Sequence, residues 1–398
     1  MIPPADAGSS PPAIAAAGRP RVLISCGEAS GDLYAGALVS ALRDLAPGVD
    51  AVGFGGGRLE AAGARLVGDY RGLSVTGLVE AARVLPRSWR MLAAIEAEAR
   101  RHRPDVFVAI DFPDFNFRLL PRLHALGIPI VYYVSPQLWA WRAGRIDTIK
   151  RYVDRMLVIF PFEADLYQRA GVPVEFVGHP LVDLAVAVRN RDAVLAAAGL
   201  KPGQPVVALL PGSRPNEVRA ILPTLADAAL RLVAEVPSVQ FLVARAPALE
   251  DDLFAAVDWL RARGVPAGTI AGAADDVLAA ADVVVTASGT ATVQAALHGR
   301  PMVIVYRLSP LTFAIGRALV RVRQYGMVNL VAGRPVVPEL IQRDFTPEAV
   351  ARETASLLTD EARAARMRSD LAGVRERLAG LGASARAAVA VLRSSHLQ

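Results

Sequence analysis

The stretch RVLISCGEASGDLY, residues 21–34, determines how the rest of the chain is interpreted. It opens with the apolar run RVLISC, which is typical of a buried β-strand, and a glycine-containing loop then leads into a helical pattern from Leu33 to Leu45. A strand that passes through such a loop into a helix is the repeating unit of a parallel α/β sheet. The sequence therefore predicts an α/β fold from its first ordered segment.

The loop of this unit has an unusual composition. Its glycines do not match the dinucleotide-binding fingerprint, and Glu28 and Asp32 would repel a phosphate group. Together with Ser30, these acidic and hydroxyl side chains are better suited to sugar hydroxyl groups. The alternative is that the same residues only cap the helix that follows.

Short β-branched runs alternate with helical stretches through the first half of the chain. Because strands that are buried on both faces read as continuous apolar runs, the pattern predicts a parallel sheet with helices on both sides. The runs cover residues 50–56, 105–111, 129–135, 155–160 and 174–180, and residues 78–102 have a helical pattern.

A second series of strands begins after a helix-and-turn pattern at residues 190–205. Its runs cover residues 206–213, 239–247, 268–272, 281–290 and 301–306. Two successive series predict two Rossmann-like domains that face each other across a cleft. We expect a disordered tail at 1–20, an N-terminal domain at 21–189, a C-terminal domain at 190–345 and terminal helices at 346–398.

Composition narrows the classes of function. A chain of 398 residues that is 53% hydrophobic can bury two cores, and its net charge of +6 favours an anionic partner. An aromatic content of 6%, without an arginine-rich arm, argues against nucleic acid. The single cysteine, Cys26, excludes an internal disulfide and fits a reducing compartment. No signal peptide and no apolar run of about 18 residues is present, so we expect a cytoplasmic protein.

Two turns of the second series favour an anion. Gly212 and Ser213 form a tight turn after a buried strand, and Arg214 follows them and could grip a phosphate through two parallel hydrogen bonds. Further on, a strand delivers Ser288, Gly289 and Thr290 to the start of a helix, where free N–H groups attract negative charge. An ordinary turn with a surface arginine and a simple N-cap are the alternatives. Together the two turns predict a site for a nucleoside diphosphate.

A third loop, IDFPDFNFRL at residues 110–119, brings Asp111, Asp114 and Asn116 close to a strand end. A carboxylate in an interdomain cleft is a candidate general base, although Asp114 or Asn116 could only cap the next helix. His179 follows the last strand of the first series, and a backbone-held hinge position is as compatible with it as a catalytic role. The chain has no Asp-x-Asp triplet and its five histidines are scattered, which argues against a metal site.

Taken together, these loops resemble those of the lipid-A-disaccharide synthases, glycosyltransferases of the GT-B fold. The matching stretches follow the family's order from residue 21 to about residue 345, and GEASGD with SPQLWAWR is the most specific pair. They are GEASGD, PDVFVAIDFPDFN, YVSPQLWAWR, PFE, FVGHPLVD, LLPGSR, SGTAT and VNLVAGRPVVPEL.

The resemblance implies a reaction. The family transfers 2,3-diacylglucosamine from its UDP-linked donor to 2,3-diacylglucosamine 1-phosphate, which forms the β-1′,6-linked lipid A disaccharide and releases UDP. It inverts the anomeric centre and uses no metal or other cofactor. The nucleotide binds the C-terminal domain and the acceptor binds the N-terminal domain.

The same resemblance assigns roles to residues of this chain. Asp114 becomes the candidate base for the acceptor's 6-hydroxyl group, and Arg214 stabilises the leaving diphosphate. The remaining donor-binding candidates are Gly212, Ser213, Ser288, Gly289, Thr290, Gln294 and Asn329. The acceptor-binding candidates are Glu28, Ser30, Asp32 and Asn116.

One position departs from the family pattern. The family's usual glutamate after SGTA is Gln294 here. A glutamate at this position accepts hydrogen bonds from both ribose hydroxyl groups, whereas an amide offers one acceptor oxygen and an NH₂ donor. We therefore expect Gln294→Glu to bind UDP more tightly.

Two stretches mix arginines with large apolar residues, at 77–95 and 308–323. Such stretches can lie in a membrane interface, and the alternative is a pair of core helices with solvated arginines. The first interpretation predicts a peripheral protein on the anionic inner face of the cytoplasmic membrane.

Three rival functions share some of these features. A UDP-sugar 2-epimerase has the same architecture and needs no acceptor site. A nicotinamide dehydrogenase is disfavoured because no Gly-x-Gly-x-x-Gly follows the first strand. A basic scaffold protein would not bind UDP.

Overall fold

The computed structural model of the chain describes residues 19–71, 78–138, 143–247, 249–307 and 324–395. Most of the predicted tail, Trp139 and Trp141, and the basic stretch at 308–323 lie outside these residues. The described chain forms two parallel β-sheets with helices packed around them.

The first sheet has seven parallel strands in the spatial order β3-β2-β1-β4-β5-β6-β7. Strand β1 lies inside the sheet between β2 and β4, so that Ile24 lies opposite Gly53 on one side and Val108 on the other. In chain order the strands are β1 (Arg21–Cys26), β2 (Asp50–Gly55), β3 (Arg65–Asp69), β4 (Val106–Ile110), β5 (Ile130–Tyr133), β6 (Arg155–Val158) and β7 (Val174–Phe176).

The second sheet has six parallel strands in the order β10-β9-β8-β11-β12-β13. Strands β8 and β11 are buried along their whole length, as their continuous apolar sequences predict. The strands are β8 (Val206–Leu210), β9 (Gln240–Arg245), β10 (Ala267–Ala271), β11 (Val283–Ala287), β12 (Met302–Tyr306) and β13 (Glu339–Ile341).

Helices connect the strands and cover both faces of each sheet. Those of the first half are α1 (Glu28–Leu45), α2 (Gly57–Ala61), α3 (Leu78–Arg101), α4 (Pro113–His124), α5 (Ile146–Tyr152), α6 (Pro161–Ala170) and α7 (Leu181–Leu184). Those of the second half are α8 (Arg191–Ala197), α9 (Pro215–Glu235), α10 (Ala255–Arg261), α11 (Ala274–Ala280), α12 (Thr290–Leu297), α13 (Met327–Ala332), α14 (Pro347–Thr359), α15 (Glu361–Arg377) and α16 (Ala383–Ser394). Short 3₁₀ turns occupy Ala143–Arg145 and Asp251–Phe254.

The two halves of the chain share one apolar core. Buried side chains on the α1 side of the first sheet form a continuous cluster with the core of the second half, whereas the α3–α4 side has a core of its own. The last helix, α16, returns to pack against α1. The Asp183 carboxylate accepts hydrogen bonds from the N–H groups of Gly382 and Ala383, which fixes the start of α16 beside the first half.

Three details differ from the sequence-based prediction. Helix α1 begins at Glu28, five residues before the predicted start at Leu33, so the acidic loop is the first turn of the helix. Strands β3 and β13 were not predicted. β3 is a half-exposed edge strand with charged ends, and β13 has three residues, so neither gives a continuous apolar run.

The predicted terminal helices are present as α14, α15 and α16. Among the described residues, no helix combines the length and apolar character needed to cross a bilayer.

Candidate active site

An ion pair joins the two halves of the chain at the ends of their first strands. Arg214 Nη2 donates to both carboxylate oxygens of Glu28 at 2.6 Å, and Arg214 Nη1 donates to Glu217 Oε1 at 3.0 Å. Glu28 begins α1, directly after β1, and Arg214 precedes α9, directly after β8. The residues predicted for the acceptor side and for the donor side therefore meet in one place.

The backbone N–H groups of the turn before α9 are already bound to a carboxylate, that of Glu217. Glu217 reaches back from the first turn of the helix and accepts hydrogen bonds from the N–H groups of Ser213, at 3.0 Å, and Arg214, at 3.3 Å. Gly212 has a φ of 127°, and a Cβ atom there would come within 2.5 Å of Glu217 Oε2. Because Glu217 occupies these N–H groups, the Arg214 guanidinium is the anion-binding group that this turn presents.

The first half holds several non-glycine residues in the left-handed backbone region where its strands end. Glu28 after β1, Asp111 and Phe112 after β4, and Val134 after β5 have φ angles of 70°, 44°, 48° and 66°. Such conformations are costly for residues with a Cβ atom and cluster at functional sites. Among the residues that the structure describes, the carboxyl edge of the first sheet therefore holds four of the six non-glycine residues with a positive φ.

Asp111 is the carboxylate whose acidity changes most among those at this edge. Its pKa is raised to about 7, mainly by burial and also by the charge of the neighbouring Glu28 carboxylate. A hydrogen bond from the Phe112 N–H group and the charge of Arg214 act in the opposite direction. A carboxyl group that titrates near neutral pH can accept a proton from a hydroxyl group during a reaction.

Asp114, the predicted base, has a different environment. Its side chain is 68% exposed at the first turn of α4, and it forms an ion pair with Arg145 at 2.5 Å. Asp111 lies three residues earlier, at the strand end itself, and is half-buried. The charges of Glu28 and Arg214 both act on Asp111.

The acidic opening segment divides into two parts with different roles. Glu28 faces Arg214, as described above. Asp32 is buried, and its two oxygens accept hydrogen bonds from the N–H groups of Gly56, Arg58 and Leu59, so it caps α2. The expected contact between Asp32 and the acceptor stays a prediction, and both Asp32 oxygens already accept hydrogen bonds inside the fold. Ser30 is half-buried in the first turn of α1.

Asn116 also has a structural role. It is fully buried, its Oδ1 accepts from Ser25 Oγ at 2.7 Å, and its Nδ2 donates to the Asp111 carbonyl oxygen at 2.7 Å. These bonds fix the left-handed turn that carries Asp111. The expected direct contact between Asn116 and the acceptor is not supported, since the amide is committed to β1 and to this turn.

The second predicted anion site lies at the start of α12. Gly289 has a φ of 150°, and the space where its Cβ would lie has no atom within 4 Å. Ser288 Oγ donates to the Tyr325 carbonyl oxygen at 3.3 Å, and Thr290 is exposed and interacts with the Tyr34 phenol of α1. This helix start therefore has open space beside it, unlike the turn before α9.

Gln294 belongs to a hydrogen-bonded group of three side chains. Its Nε2 donates to the two Asp275 oxygens at 3.1 and 3.2 Å, and His298 Nε2 lies 3.0 Å from Asp275 Oδ1. A glutamate in place of Gln294 would bring its carboxylate close to that of Asp275, and the two negative charges would repel each other. From this contact we predict that Gln294→Glu weakens nucleotide binding, the opposite of the effect expected from the sequence.

Asn329 is buried and fully bonded within the fold. Its Nδ2 donates to the Val337 carbonyl oxygen and to Glu339 Oε1, and its Oδ1 accepts from the N–H groups of Val336 and Val337. These contacts hold the segment between α13 and β13. The predicted nucleotide contact by the Asn329 side chain is not supported, because no polar atom of its amide is left for a ligand.

His179 occupies the hinge position that the sequence left open. It is buried between the rings of Tyr34 and Phe160, its N–H group donates to the Leu378 carbonyl oxygen, and burial lowers the pKa of its imidazole to about 3. Its Nδ1 accepts from the Leu181 N–H group at 3.2 Å. His179 is therefore a neutral structural residue where α15 and α16 rejoin the first half.

The sequence gives unequal signals for three residues of this region. Asp111 stands directly after the buried strand β4, although the family resemblance points to Asp114 as the base. Glu217 follows its N-cap by three residues, which is the spacing of a capping box. Asp275 had no signal in the sequence, because its contact with Gln294 depends on how α11 and α12 pack.

Comparisons with known proteins give a family match over most of the chain. A family model described as lipid-A-disaccharide synthetase matches residues 22–393. A relative from Koribacter versatilis (strain Ellin345), named lipid-A-disaccharide synthase, is 46% identical over 364 residues, which cover 90% of this chain and 93% of the relative.

Solved structures similar to the chain include two with a TM-score of 0.62. One is a UDP-GlcNAc 2-epimerase from Neisseria meningitidis bound to UDP-GlcNAc, 10% identical, with 94% of this chain and 99% of the other covered. The other is the glycotransferase of kitacinnamycin, 19% identical, with coverages of 95% and 100%. At these identities the likeness shows the shared GT-B fold alone, so the epimerase is a neighbour in fold only.

Proposed function

The chain belongs to the lipid-A-disaccharide synthase family, and on that premise we propose the reaction that it catalyses. It transfers 2,3-diacylglucosamine from a UDP-linked donor to 2,3-diacylglucosamine 1-phosphate. The 6-hydroxyl group of the acceptor attacks the anomeric carbon of the donor, UDP leaves, and a β-1′,6-linked disaccharide 1-phosphate forms.

The observation that carries this proposal is the contact between Arg214 and Glu28 across the two halves of the chain. A glycosyl transfer needs a base for the attacking hydroxyl group and a cation for the leaving diphosphate, within one site. Asp111 and Glu28 supply negative charge from the first half, and Arg214 supplies positive charge from the second. The two requirements therefore meet at one point.

Asp111 is the proposed general base. Its pKa of about 7 lets it exist as a carboxylate at neutral pH while still binding a proton strongly enough to take one from a sugar hydroxyl group. Asp114 remains the alternative that the sequence suggested, but its carboxylate is exposed and paired with Arg145. We assign Asp114 to the rim of the acceptor site.

The donor side divides between two turns. Arg214 contacts the diphosphate through its guanidinium, and in doing so it exchanges the Glu28 carboxylate for phosphate oxygens. Gly212 and Ser213 hold that arginine in place through the turn that Glu217 closes. The open space beside Gly289, at the positive end of α12 with Ser288 and Thr290, suits the other phosphate.

Gln294, one turn into α12, is the proposed ribose contact. Asp275 holds its NH₂ group, so its carbonyl oxygen is the atom left to accept a hydrogen bond from a ribose hydroxyl group. The Asp275 carboxylate supplies negative charge beside this amide, and His298 holds that carboxylate from the other side.

A membrane-facing surface is proposed around Trp89 of α3. Trp89 is 50% exposed, Leu85 on the same helix is 40% exposed, and the Arg118 and Arg122 guanidiniums lie 5.4 and 5.6 Å from the Trp89 ring centre. Exposed apolar side chains beside arginines fit an anionic lipid surface. Diacylated substrates require access to a membrane, so we place the protein peripherally on its cytoplasmic face.

The direct test supplies the purified chain with both lipid substrates and follows UDP release and the lipid product by mass spectrometry. The proposal predicts a disaccharide 1-phosphate that forms only when donor and acceptor are both present. Equal release of UDP without acceptor, or interconversion of the donor sugar without transfer, would contradict it.

A further inference from the structure

A polar cavity lies at the amino ends of the strands of the second sheet, at the opposite end of these strands from the candidate active site. It has a volume of about 430 Å³ and lies beneath the starts of β8, β11 and β12. Because β8 and β11 have five residues each, the cavity is about 16 Å from the turns that carry Arg214 and Gly289. Ligands of open α/β sheets usually bind at the carboxyl ends of the strands, so the proposed reaction does not use this cavity.

Three arginines and two carboxylates line the cavity: Arg191, Arg300, Arg368, Asp282 and Glu361. Arg191 binds Asp282 through two hydrogen bonds, of 3.1 and 2.8 Å, and Asp282 also accepts from the Val206 N–H group. Arg368 forms an ion pair with Glu361. Both carboxylates are therefore already engaged by other cations.

Of the three arginines that line the cavity, Arg300 is the one that forms no ion pair with a carboxylate of the described residues. Its Nη2 donates to the Ala279 carbonyl oxygen at 2.7 Å, whereas its Nε is buried and has no hydrogen-bond partner there. Burial lowers the pKa of Arg300, with Asp282 opposing this and the charges of Arg191 and Arg368 adding to it. A partly buried cation beside two others is stabilised by an added anion.

We propose that this cavity binds a phosphate dianion, free or as the end of a small ester, with Arg300 as its principal cation. Guanidinium groups match phosphate oxygens with paired N–H donors. Arg368 also lines the cavity and supplies a second guanidinium group for the same phosphate. The volume exceeds that of a phosphate ion and falls within the range of small-molecule sites. Leu357 and Leu358 offer apolar surface for the carbon part of an ester.

The test uses the full chain carrying Arg214→Ala, which removes the arginine of the cleft site. Inorganic phosphate and glycerol 3-phosphate are titrated separately by calorimetry, and the comparison tells a free phosphate from an ester. We expect saturable binding of at least one of them, weakened about tenfold or more by Arg300→Gln, which corresponds to about 1.4 kcal/mol. Arg352→Gln, an exposed arginine on α14, is the matched control and should leave binding unchanged.

Arg368→Gln is a second variant. It leaves the hydrogen bond between Arg300 and the Ala279 carbonyl oxygen intact, and it should also weaken binding of the phosphate probes. With the native Arg214, Arg300→Gln should leave UDP affinity unaltered, because the two sites lie at opposite edges of the sheet. No saturable binding of either probe, or binding that Arg300→Gln and Arg368→Gln leave intact, would overturn the proposal.

Discussion

The two sides of the cleft reach their backbone geometry by different means. In the first half, Glu28, Asp111 and Phe112 adopt positive φ angles despite their side chains, whereas in the second half glycines, Gly212 and Gly289, do so. A left-handed conformation costs about 1–2 kcal/mol for a residue with a Cβ atom and almost nothing for glycine. The first half therefore holds its acids in a strained position that other contacts must maintain.

Two contacts hold these residues in the strained conformation. Asn116 holds the Asp111 carbonyl oxygen, and Arg214 holds the Glu28 carboxylate. The second half instead leaves open space beside Gly289, where a ligand can approach the backbone. The comparison teaches that the acceptor side positions particular side chains and the donor side admits phosphate oxygens. Five experiments test this difference between the two sides.

The largest effect is expected at Asp111. Asp111→Asn should lower turnover by roughly 10²–10⁴, the usual contribution of a general base, and should leave UDP affinity unchanged. Asparagine tolerates the left-handed backbone, so the loss can be assigned to the carboxylate. Asp114→Asn is the matched control and should cost at most a few-fold in steady-state turnover. If Asp114→Asn lowered turnover more than Asp111→Asn does, the general base would be Asp114.

On the donor side, Arg214→Ala should lower kcat/KM by roughly 10²–10³, because the diphosphate gains charge as it leaves. UDP binding measured by calorimetry should weaken as well. Arg219→Ala, an exposed arginine on α9, should behave as the unaltered chain does. An effect confined to the KM of the lipid acceptor would place Arg214 on the other side of the cleft.

At the ribose position, Gln294→Glu should weaken UDP by roughly up to tenfold, since a carboxylate there would oppose Asp275 about 3 Å away. The double variant Gln294→Glu/Asp275→Asn should recover the lost affinity. Tighter UDP binding by Gln294→Glu alone would support the expectation drawn from the sequence instead.

We expect the smallest effect from substitutions on the proposed membrane-facing surface of α3. Replacing Arg87 and Arg90 with Gln should reduce binding to vesicles that contain anionic lipid by a few-fold, and added salt should reduce it further. Arg263→Gln, beside Trp259 in the second half, is the control. Vesicle binding that neither salt nor these changes affect would exclude the α3 surface as the docking site.

The sequence predicts most of the fold because buried parallel strands leave an unmistakable apolar signal. β8 and β11 are examples, and the positions of Arg214 and Gly289 after them follow directly. β3 escaped prediction because an edge strand buries only part of its surface. The sequence therefore locates the edge where the chemistry lies.

What the sequence could not predict is which polar side chains face the ligand and which hold the fold. Asp32, Asn116 and Asn329 lie in segments that the sequence singles out, but in the structure each is in a helix and hydrogen-bonds to other parts of the protein. Most of their partners are backbone groups, but Asn116 also accepts from the Ser25 hydroxyl group, 91 residues away, and Asn329 donates to the Glu339 carboxylate. Such contacts depend on packing and have no local pattern.

The central claim is that acids of the first half and the arginine of the second act on one reaction centre. It is tested most directly by the pH dependence of kcat/KM in the unaltered chain and in Glu28→Gln. Asp111 acts as a base only when ionised, so the rate should fall as the pH drops through about 7. Removing the Glu28 charge lowers the pKa of Asp111, so the acidic limb should move about one unit down, while the control Glu60→Gln leaves it in place. An acidic limb that stays fixed or moves up in Glu28→Gln would contradict the account.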